Sequence, residues 1–328
     1  ANDGSWLEAK PALAGTVKNC AGGTTPWGTW LTCEESVLGP GGVDGDERFD
    51  FQRDHGWIFE VTADGAASPV PLKAMGRFVH EAVAVDPVSG YVYETEDRGT
   101  AGFYRFKPNE PGKLAAGGQL EMLEVPGVGD LRRGVKVGQQ FDVDWVAIED
   151  VERAHSPKGS GGDNPAGDEL GVFMQGKMQG GATFARLEGC WWGNDLVYIV
   201  STSGGEKDLG QVWQYDPRNN RLKLIFESPD SSVVDSPDNI CVSPRGGLVL
   251  CEDGDVIPQH LRGMTQDGRI FPANNVVLHG EHNNIRGDFR GGEWAGANFS
   301  KDGQWLFANI QDPGITFAIT GPWGNELL

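Results

Sequence analysis

Short runs of alternating apolar and polar residues, bounded by Gly, Pro, Asn or Asp, recur along the whole chain. Alternation with period two buries one face of a strand, and the bounding residues are those that turn a chain back. No stretch with apolar positions at three-four spacing exceeds about twelve residues, so few helices are expected. The predicted class is all-β. Ala82-Val83-Ala84-Val85, the turn Asp86-Pro87-Val88-Ser89-Gly90 and the strand from Tyr91 to Glu96 read as one hairpin that runs into an acidic end at Asp97.

The same unit returns at Asn19 to Glu35, Gly189 to Thr202, Ile240 to Asp253 and Ala297 to Asn309. A second hairpin-like segment follows several copies, as at Gly102 to Phe106 and Gln211 to Asp216, and two hairpins make a four-stranded unit. The acidic or amide residues that lead into the copies are Asn19, Glu81, Glu188, Asn239 and Glu293, at steps of 62, 107, 51 and 54 residues. The step of 107 is about two repeats, so one repeat is taken as hidden. Four-stranded repeats of roughly 40 to 55 residues are the signature of a β-propeller. The expectation is a single domain over residues 1–328, a propeller of about six four-stranded blades with a metal site in its central channel.

In such a fold, equivalent positions converge on the channel. The lead-in residues, with Asp238 beside Asn239, would face a second ring at the strand ends: Cys33-Glu34-Glu35, Glu96-Asp97, Ser201-Thr202-Ser203, Glu252-Asp253 and Gln311-Asp312. Carboxylates so crowded repel one another unless cations neutralise them. Oxygen-rich ligands suit hard ions, calcium first, with ferric iron, manganese or magnesium behind it. A single Asp at a strand end serves equally well as a turn residue. Glu is a poor turn former, so its return at Glu81, Glu188 and Glu293 favours metal binding or catalysis.

Arg186 lies two residues before Glu188, and residues two apart on a strand share a face. It reads as a bidentate clamp for an anionic substrate, or as a structural ion-pair partner. Cys33 stands directly before two carboxylates and, as a ligand, suits a softer transition metal such as iron. Cys241 and Cys251 read as buried small hydrophobes. Five scattered cysteines with no C-x-x-C pair give no disulfide framework. His80 reads as structural or as a support behind the ligands, and no role is assigned to the other histidines.

A formal net charge of −20 repels phosphate backbones and anionic membranes, which argues against nucleic acid as a partner. The 49 glycines and 19 prolines, beside eleven tryptophans, indicate many tight turns around a packed core. No apolar run is long enough to span a bilayer, and Ala1 to Ser5 lacks the features of a signal peptide. Residues 153–182 and 280–292 read as long polar insertions over one face of the fold.

The run from Asn19 to Glu35, NCAGGTTPWGTWLTCEE, closely resembles the N-C-A-x-G-x-T-P-W-G-T-x-L-T-C-E-E signature of the PhoX-type alkaline phosphatases. Gly76 to Ala82, Thr95 to Gly99, Ala185 to Gly189, Ser236 to Asn239 and Glu293 to Ala297 continue the resemblance in the same order. It implies a propeller phosphatase exported by the twin-arginine route to the periplasm or outside the cell, acting on small phosphomonoesters with Ca2+ and Fe3+. On this sequence it would make Cys33 an iron ligand. Glu81, Glu188, Asp238, Asn239, Glu252 and Glu293 would be ligands of iron or calcium, and Arg186 would contact the phosphate. Glu34 joins this set from the strand-end ring. The family pattern carries a further segment ahead of the Asn-Cys-Ala motif, and eighteen residues precede it here, so a chain without that segment is expected. The alternatives are a calcium-dependent propeller lactonase or esterase, and a non-catalytic propeller with structural calcium.

Overall fold

The computed structural model describes residues 10–44, 47–65, 69–153, 171–271, 281–282, 285–323 and 328. Strands β1 (Asn19–Thr24) and β2 (Thr29–Glu34) form the first hairpin. A ribbon of β3 (Pro40–Asp44) and β4 (Glu47–Asp50) follows, and β5 (Ile58–Thr62) pairs with β2. Then β6 (His80–Val85), β7 (Val92–Glu96), β8 (Phe103–Pro108) and β9 (Gly118–Glu124) run as an antiparallel meander. Next come β10 (Gln140–Asp142), β11 (Asp144–Ala147) and the helix α1 (Val172–Met178). The second meander is β12 (Leu187–Gly193), β13 (Leu196–Ser201), β14 (Gln211–Asp216) and β15 (Arg221–Glu227). The third is β16 (Pro237–Val242), β17 (Leu248–Glu252), β18 (Leu261–Met264) and β19 (Ile270–Phe271). After a ribbon of β20 (Glu281–His282) and β21 (Ile285–Arg286) come β22 (Trp294–Phe299), β23 (Leu306–Ile310) and β24 (Ile315–Ile319).

The hairpins lie where the alternation places them, but their assembly corrects the expected six-bladed propeller. Among the described residues the sheets are separate and unequal, with eight, five, four and three strands plus two two-stranded ribbons. The eight-stranded sheet joins the first hairpin to the first meander through a parallel β1–β6 contact at Gly22 and Ala82. No strand pairing links β22 back to β1 to close a ring among these residues. Among the described residues, the step of 107 residues holds no further repeat either. Its two extra strands are given away, β11 to the edge of β9 and β10 to the edge of β15. Residues 154–170 of the first expected insertion lie outside the described residues, as do 280 and 283–284 of the second; residues 171–182 carry α1.

Four apolar clusters fill the spaces between successive strand groups. Leu31, Ile58 and Val83 lie in the first of these, Tyr93, Phe184 and Trp213 in the next, then Val200 and Leu250, and last Val249 and Trp294. The leading strands come close enough to touch because glycines stand at the joints. A Cβ on Gly23 would sit 2.0 Å from the Val83 carbonyl oxygen of β6, and one on Gly189 would sit 2.7 Å from the Ile240 nitrogen of β16.

Candidate metal centre

Five hairpins share one local geometry. A β-bulge interrupts each leading strand, between Cys20 and Gly23, His80 and Val83, Leu187 and Cys190, Pro237 and Ile240, and Ala295 and Asn298. Each hairpin mouth is closed by one main-chain hydrogen bond. The N–H groups of Glu35, Asp97, Thr202, Asp253 and Gln311 donate to the carbonyls of Lys18, Val79, Arg186, Ser236 and Glu293. Lys18, Arg186 and Ser236 share a left-handed backbone, with φ of 48°, 46° and 47°. Bulges re-aim side chains, and here the residue two past each mouth carbonyl, at or beside the bulge, is Cys20, Glu81, Glu188, Asp238 or Ala295.

These positions converge. Candidate ligand atoms of Cys20, Glu35 and Glu81 lie within 4.8 Å of one another, as do those of Glu81, Glu188 and Asp238, and those of Asp238, Asp253 and Glu293. Glu81 and Asp238 belong to two groups each, so the three groups form one continuous chain of side chains. Glu81 and Glu188 are buried, and neither carboxylate oxygen of Glu81 has a hydrogen-bond partner. Arg186 closes the centre: its Nε donates to Asp97 at 2.9 Å, and its Nη2 donates to Asp97 at 3.2 Å and to Glu188 at 2.5 Å.

The electrostatics follow from crowding acids in a dry place. Burial, then Asp238 and Glu35, push the Glu81 carboxyl well above the usual range. Burial, then Asp238 and Asp97, do the same to Glu188, and burial with Glu293 and Asp253 to Asp238. Glu35 and Glu293, nearer solvent, are each pushed up to about 7, chiefly by burial. The Cys20 thiol is raised by burial and by Glu81 and Glu35. Burial opposes the charge on Arg186, but its hydrogen bond to Asp97 and the charge of Glu188 outweigh it and raise its pKa. Such a set stays ionised only with compensating positive charge.

Of the residues expected from sequence, the structure gathers Glu81, Glu188, Asp238, Glu293 and Arg186. Asn239, second residue of the same bulge as Asp238, is buried beside it. Cys33, Glu34 and Glu252 lie apart from the groups, and for the two glutamates the reason is geometric. Successive residues on a strand face opposite ways, and Glu34 and Glu252 sit one residue before Glu35 and Asp253. Their carboxylates are spent inside the fold. Glu34 accepts from the N–H groups of Val17, Gly56 and Trp57 and meets His55 at 2.7 Å. Glu252 accepts from Asp235 N–H and Arg262 and meets His260. Cys33 is fully buried among Leu31, Ile58 and Phe78. His80 is buried as expected of a structural residue, its Nε2 3.0 Å from the Gly76 carbonyl.

The residue that sequence reasoning missed is Cys20. Glu35, Asp97 and Asp253 belonged to the expected strand-end ring without being named as ligands. The signal was present: shifting the first lead-in from Asn19 to Cys20 and the fourth from Asn239 to Asp238 puts Cys20, Glu81, Glu188 and Asp238 in one register, each two residues past the carbonyl that closes its hairpin mouth.

The arrangement is a candidate cation centre held between hairpins of a β-sheet protein, with an arginine at its edge. The chain belongs to the family described as alkaline phosphatase PhoX, whose pattern matches residues 5–314. No curated protein matches the sequence. Among solved structures, Pseudomonas fluorescens PhoX in complex with vanadate, a transition state analogue, is similar at 22% identity with a TM-score of 0.64, over 91% of this chain and 65% of that one. The two share a fold, and this chain spans slightly less than two thirds of that relative's length. A gluconolactonase from Xanthomonas campestris is similar at 13% identity with a TM-score of 0.39, over 89% of this chain and 69% of its own.

Proposed function

We propose that this protein is a metal-dependent phosphomonoester hydrolase of the alkaline phosphatase type, using Ca2+ and Fe3+. The observation that carries the reading is the chain of overlapping ligand groups from Cys20 to Glu293 with Arg186 at its edge. The donor sets fit the ions. Cys20, Glu35 and Glu81 offer a thiol with two carboxylates, which suits iron; the other two groups are all oxygen, which suits calcium. The buried, unpartnered oxygens of Glu81 need such a charge. In this reading the thiol is that of Cys20, and Cys33 packs the core behind it.

Bound cations supply the positive charge that holds phosphoryl oxygens and stabilises charge developing on them. The protein's own part is positioning. Asp97 and Glu188 hold the Arg186 guanidinium by Nε and Nη2, leaving Nη1 without a protein partner among the described residues. That edge is available to clamp a phosphoryl group as negative charge grows on it. The left-handed backbone of Arg186 and the hydrogen bond from its N–H to the Arg98 carbonyl at 2.8 Å keep the clamp from swinging away. Family membership also supports a periplasmic or secreted location, and no helix among the described residues is long and apolar enough to cross a membrane.

The test is elemental analysis of iron and calcium per chain, run beside hydrolysis of 4-nitrophenyl phosphate before and after chelation. Both metals present, with activity lost on chelation and regained on reloading, is the expected result. A metal-loaded protein that cleaves no phosphomonoester overturns the reading.

A further inference from the structure

A cavity of about 620 Å3 is lined in part by residues that adjoin Arg98, Arg186 and Thr202 in sequence. They are Gly99, Ala185 and Ser203. The same lining carries Arg132 and Arg133 with their partners Asp130 and Asp208. We propose that this cavity receives the leaving group of the substrate, and that Arg132 and Arg133 select phosphomonoesters whose leaving group bears a second anionic group, phosphate or carboxylate. The proposal rests on the phosphatase reading above and specifies its substrate class.

The segment bearing the two arginines is built into the site. Thr183 N–H donates to the Gly129 carbonyl at 3.1 Å, Leu131 N–H to the Thr183 carbonyl at 2.8 Å, and Gly205 N–H to the Arg132 carbonyl at 2.8 Å. The backbone of Arg132 is thereby tied on one side to the stretch that leads into Arg186 and on the other to the loop after β13. Both guanidiniums are oriented in the same manner. Asp130 accepts from Nε of Arg132 at 3.0 Å and from Nη2 at 2.7 Å; Asp208 accepts from Nε of Arg133 at 3.2 Å and from Nη2 at 2.6 Å. Nη1 of each makes no protein hydrogen bond among the described residues, the same arrangement as in Arg186. Exposed ion pairs of this kind hold a side chain in place yet exchange readily with a ligand anion.

Charge elsewhere around the centre explains why this wall matters. In a chain of net charge −20, Arg132 and Arg133 balance Asp130 and Asp208 in the cavity's own lining, so an anion meets no net repulsion from that lining. A second cavity, lined by Glu293, holds one guanidinium, Arg290, against three carboxylates, Asp288, Glu293 and Asp312. An anionic leaving group there would face excess like charge.

The metal-loaded protein is assayed on 4-nitrophenyl phosphate, 4-carboxyphenyl phosphate and 1,4-phenylene bisphosphate, each at low and high salt. The expected result is a higher kcat/KM for one or both anionic leaving groups, with the preference shrinking as salt rises. In Arg132→Gln/Arg133→Gln the ratio of anionic to neutral kcat/KM falls roughly tenfold, while circular dichroism and metal content show that the variant is folded and loaded. Preference for the bisphosphate alone or the carboxylate alone identifies which anion is bound. Hydrolysis of all three substrates with no preference, or a preference that survives in the variant, overturns this inference and leaves the phosphatase reading standing. Hydrolysis of none overturns both.

Discussion

Arg186 and Glu188 touch one another at the edge of the centre, yet removing each should have a different consequence. Arg186→Ala keeps metal and fold but loses the clamp on the transition state, a loss on the order of 2 to 4 kcal/mol, or roughly 30- to 1000-fold in kcat/KM. Arg186→Lys recovers little, because an ammonium lacks the two-pronged geometry that meets Asp97 and Glu188. Glu188→Ala instead loses cations, read by elemental analysis. Full activity in metal-loaded Arg186→Ala would reduce Arg186 to a structural ion pair. A second residue-level test concerns Glu94, fully buried, with neither oxygen hydrogen-bonded and His80 Nδ1 3.6 Å away. Burial raises its pKa well above the ordinary value, so the neutral acid is favoured. Its contribution is favourable in acid and is lost as pH rises above the ordinary carboxyl range. Glu94→Gln should therefore stabilise the protein by about 1 to 3 kcal/mol near pH 8 and by little near pH 4, measured by urea unfolding. Equal effects at both pH values would show that Glu94 does not titrate.

The hairpin is the unit that makes the centre, and its bulge determines which residues take part. Glu81, Glu188 and Asp238 lie within the bulges of their leading strands, which take them out of plain alternation, and Cys20 pairs with Cys33 directly ahead of its own bulge. Close approach of the leading strands is the second requirement, and Gly23 meets it. Gly23→Ala places a Cβ 2.0 Å from a main-chain oxygen of β6, so β1 must move away from β6 and carry Cys20 from Glu81. The expected outcome is a melting temperature several degrees lower, as overpacking of 1 to 3 kcal/mol implies, with iron content falling more than calcium. Unchanged iron in a destabilised Gly23→Ala would mean that the thiol group is not the iron site. Hairpin positions were legible in sequence because alternation and turn residues are local. The bulge was not, since an extra residue in a strand changes the facing of side chains without changing composition, and the lead-ins at Asn19 and Asn239 were accordingly one residue out of register.

Across the whole molecule, seven carboxylates (Glu35, Glu81, Asp97, Glu188, Asp238, Asp253 and Glu293) meet one thiol, with Arg186 and Lys18 among them. Stripped of cations, the protein should be most stable in acid. Glu35 and Glu293 are raised from an ordinary carboxyl value to about 7. Raised acids contribute their stability below the unfolded value and lose it as pH climbs through the folded one, here between about 4.5 and 7. The metal-loaded protein should behave oppositely, because cations bind the ionised carboxylates and low pH drives them off. Melting followed by calorimetry with and without chelator should show curves of opposite slope over that range. A chelator that leaves melting unchanged at neutral pH would make these acids ordinary turn residues.

What the sequence alone determined is strand class, hairpin positions and the residue types from which a centre could be made: these depend on local alternation, turn chemistry and a dense run of family motifs from Asn19 onward. Sheet assembly was decided elsewhere. Nothing local tells β10 and β11 to join two different sheets, so the gap of 107 residues reads as a lost repeat until their partners are seen. Which neighbour in a pair such as Glu34-Glu35 or Glu252-Asp253 faces the centre was likewise settled only in three dimensions. One member's carboxylate is taken up by the N–H groups and side chains of its own hairpin's surroundings, and the other is left to the cluster, because adjacent residues on a strand cannot face the same way.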